Sequence, residues 1–361
     1  MGKAGEQNRI EEPETAVRIR LLSKAAPLLS DWFGKKGRPL PWRAVKDPYR
    51  ILVSETMLQQ TRIETVLRYY ERFMERFPDF ESLAAADEET VLKLWEGLGY
   101  YSRARNLKKA AEACVRDHGG RLPETAEGLK KLPGIGDYTA GAVASLAFGE
   151  AAPAVDGNVL RIMARFFADE RDVTVPAVKK EAAALLRSVL ETLPDPGVFN
   201  EALMELGEIC CVPNGRPFCR SCPFKDSCRA LALGLEEDLP LRGAPKPRRI
   251  EKKTVLLLHC GGRTALEKRP DKGLLAGLYG FPILDGWLER ADIRAFLESY
   301  GARGAELKEA GGAVHVFTHV EWHMKAYRIE TNEPLPGYIY AEAQEIRTRY
   351  ALPSAFKYFA E

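Results

Sequence analysis

The chain has 361 residues, enough for two to three domains of about 150 residues each. Hydrophobic residues make up 45% of it and charged residues 29%, which excludes a disordered or collagen-like chain. The 53 Lys and Arg residues nearly balance the 51 Asp and Glu residues. The resulting net charge of +2 argues against a protein that coats nucleic acid by bulk charge.

The N-terminal segment 1–20 is polar and partly acidic, so it lacks the pattern of a signal peptide or a transit peptide. No apolar run anywhere in the chain reaches the roughly 18 residues of a membrane span. We therefore expect a soluble, cytoplasmic protein.

Apolar residues recur with the period of an α-helix from residue 16 to residue 231. The first long stretch, 51–77, is predicted to be helical, and Pro and Gly residues separate it from the later ones. The later helices are predicted at 89–96, 102–118, 139–148, 159–167, 178–190 and 199–209. No long alternating pattern interrupts them, so this part of the chain is predicted to be mostly α-helical.

Glu55 lies within the first helical stretch. Its neighbours four and three residues before it and three residues after it are apolar, so its carboxyl group shares a helix face with core residues. Desolvation there favours the protonated form, which suits a general acid near neutral pH. The alternative is a glutamate at a solvated helix edge.

A glycine-containing turn, LeuProGlyIleGly at 132–136, joins two helical stretches. Its glycines allow a ligand to approach the backbone, and the helix that follows offers free N–H groups to a phosphate. The preceding segment 99–131 contains eight Lys or Arg residues and four Asp or Glu residues. This local excess of positive charge is typical of contact with a DNA backbone, and the alternative is a plain turn.

Asp156 precedes the helix predicted at 159–167 and is suited to be its N-cap. Backbone N–H groups and the helix dipole would favour its ionised form. Two carboxyl groups whose pKa values are shifted in opposite directions are the usual arrangement for an acid and a stabilising anion. The alternative is that Asp156 only caps its helix.

Five of the seven cysteines fall within 19 residues: Cys210, Cys211, Cys219, Cys222 and Cys228. In a reducing compartment such a cluster indicates metal ligands rather than disulfides. The spacing is compatible with a zinc ion or an iron–sulfur cluster and does not choose between them. We expect Cys210 to be the spare thiol and to point away from its neighbour.

The composition changes at 236–252, where three prolines and mixed charges predict a linker. Strands are predicted at 253–260 and 314–330, and a short helix at 291–300, so this C-terminal part is predicted to be an α+β domain. His315, His319 and His323 would share one face of the second strand, which makes a zinc site there conceivable, although no Cys or Asp ligand stands beside them.

Together the motifs resemble those of the helix-hairpin-helix DNA glycosylases, specifically the adenine DNA glycosylase (MutY) family, from about residue 20 to residue 355. The motifs that carry the resemblance are LeuProTrpArg (40–43), SerGluThrMetLeuGlnGln (54–60), GlyLeuGlyTyrTyrSerArgAlaArgAsnLeu (97–107), LeuProGlyIleGly (132–136), ValAspGlyAsnVal (155–159) and the cysteine loop. The resemblance implies a multi-domain chain. It comprises a mostly-α catalytic domain at 1–235 with the helix-hairpin-helix at about 130–145, the linker, and a MutT (Nudix)-like α+β domain at 253–361.

The resemblance implies a monofunctional enzyme that flips adenine mispaired with 8-oxoguanine or guanine out of double-stranded DNA and excises it, in base excision repair. Glu55 would protonate the base at N7, and Asp156 would stabilise the oxocarbenium sugar. The other implied residues of the adenine pocket are Tyr138, Asn158, Arg43 and Glu201. The implied protein is a monomer of the bacterial cytoplasm that works at the nucleoid.

Residues outside the adenine pocket are implied to contact the DNA. Gln60, Leu98 and Tyr100 resemble wedge residues that fill the gap left by the flipped base, although core packing is the stronger reading of Leu98 in isolation. Gly134 and Gly136 would contact the backbone.

The C-terminal domain is implied to recognise 8-oxoguanine. Its start, 273–282, resembles that of the family's MutT-like domain, and no acidic Nudix box for magnesium follows. The loop Phe317, Thr318 and His319 resembles the family's Phe-Ser-His loop. Thr318 keeps the hydroxyl group of the serine and adds a methyl group.

The resemblance also implies a [4Fe–4S] cluster held by Cys211, Cys219, Cys222 and Cys228. Seven residues separate the first two ligands instead of the family's six, and Cys210 as first ligand would require eight.

The position that is a Schiff-base lysine in endonuclease III resembles Tyr138 here, which predicts base removal without efficient strand cleavage. The alternatives are an endonuclease III-like glycosylase and AP lyase for oxidised pyrimidines, or a non-catalytic mismatch-binding Fe–S protein.

Overall fold

The computed structural model of the protein describes residues 13–244 and 247–360. In chain order its α-helices are α1 (Glu14–Lys36), α2 (Pro48–Leu58), α3 (Ile63–Arg76), α4 (Phe80–Ala85), α5 (Glu88–Leu94), α6 (Ser102–His118), α7 (Ala126–Leu129), α8 (Asp137–Phe148), α9 (Gly157–Phe167), α10 (Pro176–Leu190), α11 (Pro196–Ile209), α12 (Arg229–Leu233), α13 (Arg290–Ser299) and α14 (Ala343–Thr348). Its β-strands are β1 (Arg249–Cys260), β2 (Arg263–Lys268), β3 (Tyr279–Gly280), β4 (Ile283–Asp285), β5 (Glu306–Val316), β6 (Val320–Glu330) and β7 (Ile339–Ala341). None of the helices in the described part of the chain has the length and apolar composition needed to span a lipid bilayer.

The chain divides into two compact units. Among the described residues, the first unit combines 13–60 with 113–244 and is helical, whereas the second combines 61–112 with 247–360 and contains the β-sheet. The mostly helical character predicted for the first part of the chain and the α+β character predicted for the C-terminal part are confirmed.

The core of the first unit is formed by α1, α9, α10 and α11. Leu29 of α1, Phe166 of α9, Leu186 of α10 and Leu206 of α11 are each at most 2% exposed. Burying a side chain of this size stabilises the fold by roughly 1.5–3 kcal/mol. The packing holds α9 and α11 side by side, and these two helices carry several of the residues that the sequence singles out.

The helical stretch predicted at 51–77 is two helices, α2 and α3, so its predicted continuity is wrong. The backbone leaves the helical conformation after Leu58 and adopts a left-handed conformation at Gln60, where φ is 58°. Each helix keeps its own apolar face, so apolar residues recur at helical spacing on both sides of the break. The periodicity therefore does not show where the first helix ends.

The second unit contains a mixed seven-stranded sheet. The strand order is β3-β2-β1-β6-β5, with β4 also paired to β1 and β7 to β2, and β1 and β6 run parallel. Alternate residues of β1 point to opposite faces of the sheet. Val255 packs on the face covered by Phe356, and Leu256 packs on the face covered by Ile293 of α13.

The strand predicted at 314–330 is the hairpin of β5 and β6, so the single predicted strand is wrong. Residues 317–319 form the turn, in which the Phe317 amide donates to the Val320 carbonyl oxygen at 2.8 Å. His315 and His323 lie on opposite strands and His319 in the turn, so the three histidines do not share one strand face. No three His, Cys, Asp or Glu side chains within 13–244 and 247–360 converge to hold a single metal ion.

Helices α3 to α5 and most of α6 pack with the sheet inside the second unit. Lys93 of α5 donates to the Tyr350 carbonyl oxygen at 2.9 Å, and the Glu96 carboxylate accepts from the Leu352 amide at 3.1 Å. Arg105 of α6 donates to the Ala276 carbonyl oxygen at 2.6 Å. These bonds join residues more than 170 positions apart in the chain. They connect segment 61–112 to segment 247–360 within the second unit.

Candidate active site

Glu55 is a buried carboxyl group on α2. The helix begins with Asp47 as its N-cap, whose side chain accepts from the Arg50 amide at 2.9 Å, and with Pro48 in its first turn. Glu55 is only 4% exposed, so its predicted burial is confirmed. Burial raises the pKa of Glu55 to about 7, against the lowering effect of a hydrogen bond from Tyr138. The group therefore holds a proton close to neutral pH.

Asp156 is the N-cap of α9, as the sequence predicts. Its Oδ1 accepts from the Val159 amide at 2.8 Å. Burial nevertheless raises the pKa of Asp156, although the hydrogen bonds to backbone N–H groups and the charge of Arg161 lower it. The predicted shift of the two carboxyl groups in opposite directions is wrong, because the desolvation of Asp156 outweighs the cap. The two groups differ in the extent of burial, not in the direction of the shift.

Tyr138 lies in the first turn of α8 and contacts Glu55. Its hydroxyl group is 2.9 Å from Glu55 Oε2 and 3.5 Å from the Met204 sulfur. Burial, followed by the charge of Glu55, raises the pKa of Tyr138 well above its usual value. Tyr138 is therefore a neutral hydrogen-bond donor throughout the physiological range.

Arg43 and Glu201 line one cavity with Glu55. The Arg43 Nε donates to Glu201 Oε1 at 2.7 Å. Burial raises the pKa of Glu201, and Arg43 opposes that shift. The cavity measures about 50 Å³, and its lining residues are Trp42, Arg43, Val45, Lys46, Ile51, Ser54, Glu55, Leu146, Gly197, Val198 and Glu201. Three of the residues predicted for the adenine pocket therefore meet at one cavity.

Two charged residues behind this cavity were not predicted from the sequence. Glu205 is 1% exposed and accepts hydrogen bonds from Arg38 and Arg43. The available signal was a glutamate one turn after Glu201 in an apolar helix, and an arginine just before the LeuProTrpArg motif.

Asn158 lies in the first turn of α9 and contacts α11. Its Nδ2 donates to Glu208 at 3.2 Å, and its Oδ1 accepts from Arg161 at 2.9 Å. Gly207 has no side chain where α11 passes Asn158, and a Cβ atom there would lie 2.6 Å from the Asn158 Cβ. Arg161 also donates to the Cys211 carbonyl oxygen at 2.8 Å, so one buried guanidinium contacts both Asn158 and the cysteine loop.

The turn at 132–136 joins α7 and α8, so the predicted hairpin between two helices is confirmed. Gly134 has φ of 76°, a conformation that favours glycine. Gly136 is the N-cap of α8, without a side-chain hydrogen bond to the first-turn N–H groups. These N–H groups remain available to an acceptor such as a phosphate.

The predicted wedge residues differ in exposure. Tyr100 is 48% exposed and has φ of 47°, and the exposed Gln60 has φ of 58°. Residues other than glycine rarely adopt such angles, and they cluster at functional sites. Leu98 is only 6% exposed, so it packs in the core, and it would have to leave this packing to enter a DNA duplex.

The loop predicted to recognise 8-oxoguanine is the turn of the β5–β6 hairpin. Thr318 and His319 are exposed, whereas Phe317 is half-buried, with its ring 5.1 Å from that of Trp322. The Thr318 hydroxyl group is 3.2 Å from the Tyr100 hydroxyl group within the second unit. Thr318, which the resemblance assigns to the opposite base, and Tyr100, which it assigns to the wedge, are thus hydrogen-bonded although they are 218 positions apart.

All five clustered cysteines line one cavity, including Cys210, so the prediction that Cys210 points away is wrong. The helix ends at Ile209, and Cys210 has φ of −129°, so the helical 100° rotation no longer separates the adjacent side chains. Arg165 donates to Cys211 Sγ at 3.3 Å, and the Cys228 thiol donates to the Arg165 carbonyl oxygen at 3.4 Å. A guanidinium beside clustered thiols suits a cofactor with a negatively charged ligand shell.

The chain is similar to known DNA repair proteins. The family model for HhH-GPD superfamily base excision DNA repair proteins matches residues 53–188, and that for the NUDIX domain matches residues 254–361. An adenine DNA glycosylase of Homo sapiens is 34% identical, with 95% of this chain and 73% of the relative covered. An adenine DNA glycosylase of Buchnera aphidicola subsp. Baizongia pistaciae is 31% identical, with 84% of this chain and 85% of the relative covered.

Among solved structures, a thermostable thymine-DNA glycosylase has a TM-score of 0.52 at 28% identity, with 61% of this chain and 100% of the other covered. The expected fold, a helical HhH-GPD domain followed by a Nudix-like α+β domain, is confirmed. The chain belongs to the adenine DNA glycosylase family of base excision repair enzymes, which hydrolyse an N-glycosyl bond in DNA.

Proposed function

We propose that this protein is a monofunctional glycosylase that excises adenine mispaired with 8-oxoguanine or guanine from double-stranded DNA. The observation that carries the proposal is the buried carboxyl group of Glu55, whose pKa is about 7, in a cavity that Arg43 and Glu201 also line. A purine that enters this cavity meets an acid, a guanidinium and a carboxylate, which complement its ring nitrogens and its amino group.

Glu55 is the general acid in this proposal. Adenine is a poor leaving group until one of its ring nitrogens is protonated, and N7 is the nitrogen assigned to Glu55. The proton moves from Glu55 to N7 as the bond between N9 and the sugar C1′ breaks. A pKa near 7 suits this step because the group carries its proton near neutral pH and still releases it readily.

Asp156 and Asn158 act on the sugar. Departure of the base leaves an oxocarbenium cation, and a carboxylate on the opposite side of the sugar from the acid would stabilise it. Asp156 is held by its own helix cap, and Asn158 is held by Arg161 and Glu208. Water then adds to C1′ and gives up a proton to the Glu55 carboxylate, which restores the acid and completes the hydrolysis.

The base has to leave the duplex before it enters the cavity. We assign Gln60, Leu98 and Tyr100 to the space that it vacates, and Gly134 and Gly136 to the backbone. Support comes from the left-handed backbone of Gln60 and Tyr100 and from the uncapped first turn of α8.

Phe317, Thr318 and His319 are assigned to the base opposite the adenine. 8-Oxoguanine differs from guanine by a hydrogen on N7 and an oxygen on C8, and a hydroxyl group can accept from that N7–H. The contact between Thr318 and Tyr100 supports a joint role for the two residues.

Tyr138 cannot form an imine with the sugar, so strand cleavage by a Schiff base has no nucleophile at this position.

We assign Cys211, Cys219, Cys222 and Cys228 as ligands of a [4Fe–4S] cluster, since these thiols line one cavity beside the Arg165 guanidinium. When bound, the cluster would contribute folding energy to the loop. The hydrolysis itself requires no electron transfer.

The proposal is tested with two duplexes, one with adenine opposite 8-oxoguanine and one with thymine glycol. After incubation and alkali treatment, we expect cleavage only of the adenine strand, and borohydride should trap no covalent adduct. Glu55→Gln should slow excision by about 10²–10⁴-fold, the usual contribution of a general acid. Cleavage at thymine glycol would support the endonuclease III-like alternative. Tight binding without excision, unchanged by Glu55→Gln, would support the mismatch-binding alternative.

A further inference from the structure

A buried carboxylate, Glu205, lies one helical turn beyond Glu201 on α11. Its side chain has no exposure to solvent. Arg38 donates to it three times, through Nε at 2.7 Å, through Nη2 at 3.0 Å and through its own backbone amide at 3.0 Å. Arg43 adds a fourth hydrogen bond, from Nη2, at 3.1 Å. Burial would raise the pKa of Glu205, but the two arginines hold it below its usual value.

Arg43 is fixed from three sides. One end of its guanidinium meets Glu205, its Nε donates to Glu201 at 2.7 Å, and its Nη1 donates to the Arg38 carbonyl oxygen at 2.9 Å. The face of the group lies over the Phe33 ring, 5.1 Å from the ring centroid. These contacts hold the Arg43 guanidinium in the observed orientation, and Glu205 and the Arg38 backbone are the two hydrogen-bond acceptors among them that lie outside the cavity lining.

The four side chains also set the charge behind the adenine cavity. Two guanidinium groups and two carboxylates are joined by hydrogen bonds there, and the charges of these four side chains cancel when all are ionised: Arg38, Arg43, Glu201 and Glu205. Removing one charge from this set leaves a net charge of either sign next to Arg43, which acts on Glu55, and the partial burial of the set weakens screening by water.

The groups that face Glu55 come from every element packed around it. Apart from burial, the interactions that shift its pKa are, in decreasing order, with Tyr138 of α8, Glu201 of α11, Asp156 at the start of α9 and Arg43 before α2. Lys46 also lines the cavity, and it is paired with Asp195 at 3.3 Å. Glu201 raises the pKa of Glu55 and Arg43 lowers it, so the balance between these two charges adds to or subtracts from the rise that burial causes.

We propose that Glu205 and Arg38 are positioning residues of the adenine pocket, which orient Arg43 toward Glu201 and cancel its charge beside Glu55. The inference rests on the proposed role of Glu55 as the acid. It adds that the protonation of this acid is set by two residues outside the cavity lining, through Arg43 and not through contact with the base.

The test is the pH profile of single-turnover adenine excision from an 8-oxoguanine:adenine duplex. Because Glu55 has to be protonated, the rate of the unaltered protein should fall above a pH of about 7. Glu205→Gln leaves a net positive network, so this decline should move to lower pH by about one unit. Arg38→Gln leaves a net negative network, and the decline should move to higher pH by a similar amount. The double variant removes one charge of each sign, so the pH at which the rate declines should return toward that of the unaltered protein.

A purely structural role would lower the rate in both single variants without moving the decline in opposite directions. Asp169→Asn is the matched control, because it also removes a carboxylate bound by two arginines, Arg18 and Arg171, and should leave the profile in place. If Glu205→Gln fails to fold, Arg38→Gln decides the matter alone, because Arg38 is 28% exposed at its side chain and tolerates replacement better.

Shifts of the same sign in both single variants, or no shift, would overturn the inference while leaving the proposed function intact. By contrast, an unaltered protein that does not excise adenine, or whose rate shows no decline above neutral pH, would overturn the proposed function itself.

Discussion

Tyr138 Oη donates a hydrogen bond of 2.9 Å to Oε2 of Glu55. A neutral carboxyl group has one protonated oxygen and one accepting oxygen, so this bond directs the Glu55 proton to Oε1. The contact joins residues 83 positions apart and determines which oxygen of the acid carries the proton. Met204, 3.5 Å from the same hydroxyl group, limits the space in which Tyr138 can turn.

Tyr138→Phe removes the bond that lowers the pKa of Glu55, so we expect this pKa to rise above about 7. The decline of the excision rate should therefore move to higher pH, by up to about one unit. The rate below this decline should fall, since the proton is no longer directed to one oxygen. Single-turnover rates across pH measure both effects. Tyr340→Phe, which also loses one hydrogen bond, is the control, and an identical profile in both variants would contradict the assignment.

Glu55→Gln should make stability less dependent on pH. The folded protein holds a proton on Glu55 up to a pH of about 7, whereas the unfolded chain releases it near 4.5. The free energy by which the Glu55 proton stabilises the folded state is therefore fully present below pH 4.5. It is lost as the pH rises to about 7, and the loss amounts to about 3 kcal/mol. Thermal melts at pH 4 and pH 8 should show a gain for the variant only at pH 8. Glu191→Gln, at an exposed glutamate after α10, should show no such gain.

Arg161→Gln should destabilise the first unit. The Arg161 side chain is 2% exposed and donates to the carbonyl oxygens of Cys211 and Gly207 and to Asn158. Leaving such buried acceptors without a donor costs about 3 kcal/mol in total, which lowers the melting temperature by about 10 °C. The matched control is Arg220→Gln, at an exposed arginine of the cysteine loop. Equal melting temperatures for the two variants would refute the prediction.

If the proposed iron–sulfur cluster is held as assigned, Cys211→Ser should abolish its visible absorbance and the bound iron, whereas Cys210→Ser should retain both. The physical reason is that Arg165 donates to Cys211 Sγ, as expected beside a thiolate ligand, whereas the Cys210 thiol donates to the Phe218 carbonyl oxygen at 3.3 Å. Iron analysis of the purified variants distinguishes the two. Loss of the cluster only in the Cys210 variant would reverse the assignment.

Thr318→Val keeps the shape of the side chain and removes its hydroxyl group. We expect the preference for adenine opposite 8-oxoguanine over adenine opposite guanine to fall about tenfold, as for the loss of one hydrogen bond worth ~1.4 kcal/mol. The ratio of single-turnover rates on the two duplexes measures this preference. Thr318→Ser keeps the hydroxyl group and should retain the ratio, and a valine variant that also retains it would remove Thr318 from recognition of the lesion.

Local features of this protein were readable from residue order. The burial of Glu55 follows from apolar neighbours at helical spacing, and the cap by Asp156 follows from its place before α9. The turn at 132–136 follows in the same way from its glycines. Each of these depends on interactions between residues within about four positions, which the order of residues directly encodes.

Only the tertiary structure decided how distant segments meet. Glu205 binds Arg38 across 167 positions, and no spacing rule connects them. The direction of the Asp156 pKa shift depends on how much protein surrounds the cap, which the cap itself does not reveal. The break between α2 and α3 and the turn at 317–319 lie inside continuous patterns, because apolar periodicity records which face is buried and not where the chain reverses.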